Sequence, residues 1–226
     1  MKLSTTVHRV RHGGEEYRVV KAGPRSGRAV LYDHGWSLDM YVDRTAAASL
    51  TAAVGLAARS RRSLVYLPLK AGREGPKGIG EWRRSTVVLD LVLVQHSLGF
   101  PPSRWKALRG RLGAGRPHTA EIPETDFRKY EELDHEPSHH AGRHDELRFG
   151  FAADTLFLTG SAPAFRTTGS LVHSLVTDGP VRALEYPGSH DCVTLEDDGL
   201  RIGRPQRRRI GPGTLHIAYA HGWKAE

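Results

Sequence analysis

The stretch "RTAAASLTAAVGLAARSRRSLVYLPLK", Arg44–Lys70, sets the fold class. Its first part, to about Ser60, is Ala-rich and contains no proline, and Asp43 immediately before it is a good N-cap residue. It therefore reads as a helix with its apolar face on a sheet. The second part, "SLVYLPLK", is short, aliphatic and bounded by polar residues, as a buried strand is. Another run of this kind is "STVVLDLVLVQHSL", Ser85–Leu98.

Upstream, "EEYRVVKAG" and "GRAVLYDHGW" read as two short strands joined by the Gly-Pro-Arg-Ser-Gly turn at Gly23–Gly27. Strand, helix and strand in this order predict a β-α-β portion at the N-terminal end. "SRWKALRGRL", Ser103–Leu112, predicts a short helix with Trp105, Leu108 and Leu112 at helical spacing. The glycines and prolines of residues 113–124 read as an internal linker, and Thr125 to Leu133 as a small helix after it.

From Leu147 onward the pattern reads as strands: "RFGFAADTLFLTG", "SLVHSLVT", "VRALEY", "CVTLE", "LRIG" and "TLHIAYAH". The Asp-Asp-Gly in "VTLEDDGLRIG" is a hairpin signal. The expectation is an α+β fold in one domain, residues 1–226. It has a mixed sheet, an N-terminal β-α-β portion and a mostly antiparallel β C-terminal portion.

The 226 residues suffice to bury a core without covalent staples. One cysteine, Cys192, excludes an intramolecular disulfide and a cysteine-based zinc site. The start "MKLSTTVHRVRHGG" has no apolar signal region, and no run approaches the ~18 apolar residues of a membrane span. The expectation is a soluble cytoplasmic protein with no membrane partner. The formal net charge is +8, carried by 26 arginines against seven lysines. Arginine suits bidentate recognition of phosphate, which points to nucleic acid or a phosphorylated ligand as partner. Compositional bias of the coding sequence would produce the same arginine excess.

Three groups of residues carry potential chemistry. The Tyr-x-His-Gly-Trp pentad occurs twice, at Tyr32–Trp36 and Tyr219–Trp223. Each reads as a histidine at a strand end, so His34 and His221 are candidate general acid/base partners if the two ends meet. Asp90, a lone acid inside "VVLDLVLV", is either a catalytic carboxylate or the ion-pair partner of a core arginine.

The second group is basic. The Gly-rich loop Lys70–Arg84 offers Lys70, Arg73, Lys77, Arg83 and Arg84, with Trp82 as a stacking face. Arg104, Lys106 and Arg109 of the short helix and Arg207, Arg208 and Arg209 of the tail extend the candidate nucleic-acid surface.

The third is the segment Tyr130–Phe149, where Asp134, His135, His139, His140, His144 and Asp145 form a candidate divalent metal site for zinc, manganese or magnesium. Asp134-His135, Pro137, Gly142 and Asp145 also resemble the first part of the HNH nuclease motif. That resemblance implies a general-base role for His135. Its proline falls one position earlier than in the family, and the residues after Asp145 are strand-like.

Together these residues predict a basic enzyme of nuclease or phosphodiesterase type, acting on nucleic acid or a phosphorylated nucleotide-like substrate. The rival readings are a non-catalytic nucleic-acid-binding or regulatory protein and a small-molecule tailoring enzyme. The oligomeric state is not readable from these features.

Overall fold

A computed structural model of the chain describes residues 1–23, 27–71, 75–76, 86–127, 147–186, 191–197, 213–221 and 223. These form an α+β fold with two mixed sheets. The first half contributes β1 (Lys2–His12), β2 (Glu15–Ala22), β3 (Ala29–Asp33), β4 (Leu38–Val42), α1 (Arg44–Arg59), β5 (Ser63–Leu67), β6 (Val87–Val88) and β7 (Asp90–Gln95). The second half contributes α2 (Trp105–Arg109), β8 (Arg116–Glu121), β9 (Arg148–Phe151), β10 (Thr155–Gly160), α3 (Ala162–Thr177), α4 (Gly179–Glu185), β11 (Cys192–Glu196) and β12 (Thr214–Tyr219).

The first sheet has seven strands in the order β8-β1-β2-β5-β7-β10-β9, and the second has five in the order β11-β12-β4-β3-β6. β2 pairs with β5 in parallel, as does β7 with β10, while β5 and β7 are antiparallel. In the second sheet β12 and β4 are parallel, and the other pairs are antiparallel.

The helix read from Arg44–Ser60 is α1. Asp43 caps it, accepting from the Ala46 N–H at 2.7 Å, and its other carboxylate oxygen accepts from the Arg28 N–H. α1 touches β1, β5 and β7 of the first sheet and β4 of the second, and α3 packs along α1 and against β11 and β12. One buried cluster runs through both helices, one face of each sheet and Phe127. The opposite face of the first sheet has its own cluster, in which Trp105 and Leu108 of α2 close over Tyr66, Val92 and Phe157. The run "VVLDLVLV" serves both sheets: Val87 and Val88 pair with β3, Leu89 donates to the Leu31 carbonyl, Asp90 pairs with Thr155 of β10, and from Leu91 the chain also pairs with β5.

Several sequence expectations are corrected. "SLVHSLVT" and "VRALEY" are helical, in α3 and α4, and not strands. β-branched residues favour strands, but Ala164, Phe165, Thr168, Val172 and Leu175 are buried at helical spacing. Ser161 caps the helix through the Ala164 N–H, with proline in its first turn. The linker read at 113–124 contains β8, an edge strand held by β1. β2 and β3 are not a hairpin; they lie in different sheets, and β2 pairs with β1 instead. Of the helix expected at Thr125–Leu133, the described part holds only the 3₁₀ turn Glu124–Asp126. Among the described residues, no helix is long and apolar enough to cross a membrane.

Candidate active site on the outer face of the second sheet

Strand pairing sets which side chains share a face. In the second sheet the inward row of Leu31, Leu38, Met40, Leu215, Ile217, Val193 and Leu195 belongs to the core. The outward row is different in kind. Val88 pairs with Tyr32, Tyr32 with Asp39, Asp39 with His216, and His216 with Thr194, which makes one rung across all five strands. His34 lies two residues beyond Tyr32 on the same side, with the two rings 5.8 Å apart.

The turn between β3 and β4 brings His34 to Asp39. Gly35 has φ +82°, a conformation that glycine adopts without cost. Its N–H donates to Asp33 Oδ1 at 2.7 Å, and the His34 N–H donates to the Ser37 carbonyl at 3.0 Å. The loop so closed points the His34 imidazole over β4, where Nε2 lies 3.2 Å from Asp39 Oδ2. The His34 side chain is 4% exposed. Ser37 Oγ donates to the same carboxylate oxygen at 2.9 Å, and His216 Nδ1 lies 3.5 Å from Asp39 Oδ1. On its other edge, His34 Nδ1 is 3.2 Å from Thr86 Oγ1. One carboxylate is thus flanked by two imidazoles, and the more buried of these reaches a hydroxyl.

An ionised carboxylate only accepts hydrogen bonds. The Asp39 contact at Nε2 favours the tautomer with the proton there, and in that tautomer Nδ1 accepts from the Thr86 hydroxyl. This is the arrangement of a general base with an orienting acid behind it. Burial raises the neighbouring Tyr32 phenol above its usual range, so it stays protonated.

The chain matches no family model, no curated protein and no solved structure. The functional reading of the site therefore rests on its own geometry.

His221, the other expected acid/base residue, is not beside His34. The turn at His34 is at the Leu38 end of β4, whereas the chain leading to His221 leaves β12 at the Val42 end, where Ala220 N–H donates to the Val42 carbonyl. The length of β4 alone separates those ends by roughly 13 Å at about 3.3 Å per residue. The two pentads are not equivalent either. Tyr32 faces outward and Tyr219 pairs with Val42 on the inward side, while Trp36 is 70% exposed and the Trp223 indole donates to the Ala220 carbonyl.

Asp90 is an ion-pair partner. Its carboxylate accepts from Tyr66 Oη at 2.9 Å, from the Lys70 N–H at 2.9 Å and from Arg109 Nη1 at 3.3 Å. Burial first, then the Asp90 charge, push the Tyr66 phenol far above its usual range. With its side chain 5% exposed, Asp90 anchors the point where the chain passes from one sheet to the other.

Three of the expected phosphate-binding cations are also engaged within the chain. Lys70 Nζ bonds Asp154 Oδ2 at 2.8 Å, Arg109 bonds Asp90, and Arg104 bonds Glu15 and the Tyr17 hydroxyl. Lys106 is exposed. Arg73, Lys77, Trp82, Arg83, Arg84, Arg207, Arg208 and Arg209 lie outside the described residues, as do Asp134, His135, His139, His140, His144 and Asp145. Among the described residues, no group of three or more His, Cys, Asp or Glu side chains is disposed to hold a metal.

Sequence reasoning does not single out Asp39, His216, Ser37 and Thr86. The alternation in "LDMYV" and "TLHIAY" does signal that Asp39 and His216 face away from the core. Nothing local signals that they face each other, because 177 residues separate them.

Proposed function

We propose that the protein is a hydrolase that cleaves phosphodiester bonds in nucleic acid or a nucleotide-like substrate, working at the outer face of the second sheet. The observation that carries this reading is the buried His34 imidazole, held by Asp39 on one nitrogen and presented to a hydroxyl on the other. His34 acts as general base and then as general acid. Asp39 fixes its tautomer and stabilises the imidazolium that forms. His216, with its side chain 30% exposed, is the second imidazole on that carboxylate.

The phosphate preference rests on charge. The chain carries a formal net charge of +8. Thr86 bonds His34, and Pro76 bridges to Trp223 beside Gly75, where an added Cβ would lie 2.5 Å from the Tyr32 hydroxyl.

The test is cleavage of single- and double-stranded DNA, RNA and bis(p-nitrophenyl) phosphate, with and without EDTA, by the wild type and His34→Gln. General acid/base catalysis contributes about 10²–10⁴-fold, so a loss of that size is expected in His34→Gln at an unchanged melting temperature. Equal rates for the two proteins would contradict the assignment. Salt-sensitive binding without any cleavage would favour the non-catalytic reading.

A further inference from the structure

We propose that Thr86 is the nucleophile of this site, and that hydrolysis passes through a covalent intermediate in which Thr86 Oγ1 is bonded to the substrate phosphorus, which keeps its second ester group. The inference rests on the proposed reading of the face as a phosphodiesterase site and specifies its first bond-forming step. Three observations support it. Thr86 Oγ1 is 3.2 Å from His34 Nδ1, the ring nitrogen opposite the one that faces Asp39. Asp39 is itself fixed by Ser37 at 2.9 Å, so hydroxyl, imidazole and carboxylate form a continuous chain of the kind that activates a nucleophile. Thr86 is half-buried and immediately precedes β6, where Val87 pairs with Asp33 of β3, and Leu89 N–H donates to the Leu31 carbonyl at 2.9 Å. That pairing gives its backbone a fixed position relative to β3.

The chemistry balances without a co-reactant other than water. A lone pair on Thr86 Oγ1 forms a bond to phosphorus as the bond from phosphorus to the leaving oxygen breaks, and the hydroxyl proton passes to His34 Nδ1. The imidazolium, stabilised by Asp39, gives that proton to the leaving oxygen. Water then attacks phosphorus, His34 takes a proton from it, and the bond from phosphorus to Thr86 Oγ1 breaks. The proton returns to Oγ1.

Thr86→Val keeps the side-chain shape and removes the hydroxyl, and Thr86→Ser keeps a hydroxyl. Each is assayed with bis(p-nitrophenyl) phosphate beside the wild type and His34→Gln. Each is also treated with an ethyl p-nitrophenyl methylphosphonate probe, which phosphonylates an activated hydroxyl irreversibly, and the adduct is located by peptide mass mapping. The expected result is a single adduct on residue 86 in the wild type and Thr86→Ser. Thr86→Val and His34→Gln should give no adduct, and their turnover should fall at least 100-fold. Turnover by Thr86→Val at the wild-type rate, with His34→Gln inactive, would overturn Thr86 as nucleophile and leave His34 activating water directly. A turning-over wild type without an adduct on Thr86 would also overturn it. Wild-type rates in both variants would overturn the proposed site itself.

Discussion

Asp39 and His8 show how the partners of a polar side chain determine what it does. Asp39 accepts from Ser37 on one oxygen and lies within ion-pair distance of His34 and His216. His8 on β1 is buried at 6% exposure, and among the described residues neither ring nitrogen has a hydrogen-bond partner. Gly113 approaches it without hydrogen-bond geometry, and Gly115, at φ +69°, packs so close that a Cβ there would lie 2.7 Å from the ring. Burial, reinforced by the Lys21 ammonium, lowers the affinity of His8 for a proton below its ordinary value of 6.5. The unfolded chain therefore binds more protons than the folded one below that pH. The stability associated with neutral His8 is complete above pH 6.5 and is lost as pH falls through the folded value. His8→Leu removes both orphan nitrogens and the titration. Equilibrium unfolding in urea should show it more stable by on the order of 1 kcal/mol at neutral pH. Its advantage over the wild type should widen as pH falls below 6.5; a constant difference would exclude His8 as the titrating group.

Between elements, the contact of α1 with α3 is shaped by two glycines and one ring. Gly55 and Gly169 both face Phe127, and a Cβ on Gly169 would fall 2.5 Å from the Phe127 ring. Gly169→Ala should therefore destabilise by about 1–3 kcal/mol through overpacking, measured by thermal or urea unfolding. A neutral result would mean that Phe127 can swing away at no cost. The same elements show what is legible in advance. α1, β5, β7, β10 and β12 are readable because each combines a local period with a cap or boundary residue, such as Asp43 before α1. α3 is disguised because "SLVHSLVT" has strand composition, and only the Ser161 cap, the proline after it and the spacing from Ala164 to Leu175 reveal the helix. β8 looks like a linker because its residues from Arg116 to Thr119 are all exposed, as an edge strand allows. For the site, His34 is visible as a strand-end histidine, and an arginine partner is one of two readings open for Asp90. Their actual partners depend on pairings between strands far apart in sequence, which no local pattern encodes.

For the molecule as a whole, the continuous strand through Leu89 and the shared cluster around α1 tie the two sheets together. Asp90 sits at that junction, bonded to Tyr66, Lys70 and Arg109. Removing Asp90 takes the acceptor from the buried Tyr66 hydroxyl and leaves Arg109, whose side chain is 30% exposed, without its carboxylate, at a cost of about 1–3 kcal/mol. Asp90→Ala should accordingly lower stability by that order in a single transition. Far-UV circular dichroism and tryptophan fluorescence should shift together; two separated transitions would show that the sheets unfold independently. The charge of the chain is only partly available to a ligand. Arg104, Arg109 and Lys70 are engaged within the fold, so on the proposed reading an anionic substrate is drawn by other cations.

The proposed catalysis depends above all on one tautomer: Asp39 keeps the His34 proton on Nε2 and turns the Nδ1 lone pair toward Thr86. Long-range ¹H–¹⁵N correlation of the His34 ring in the intact protein reads this directly. A protonated Nε2 and an unprotonated Nδ1 are expected at neutral pH, with the preference lost in Asp39→Leu. A wild-type ring protonated on Nδ1, or one averaging between tautomers, would refute the assignment of His34 as the base that faces Thr86.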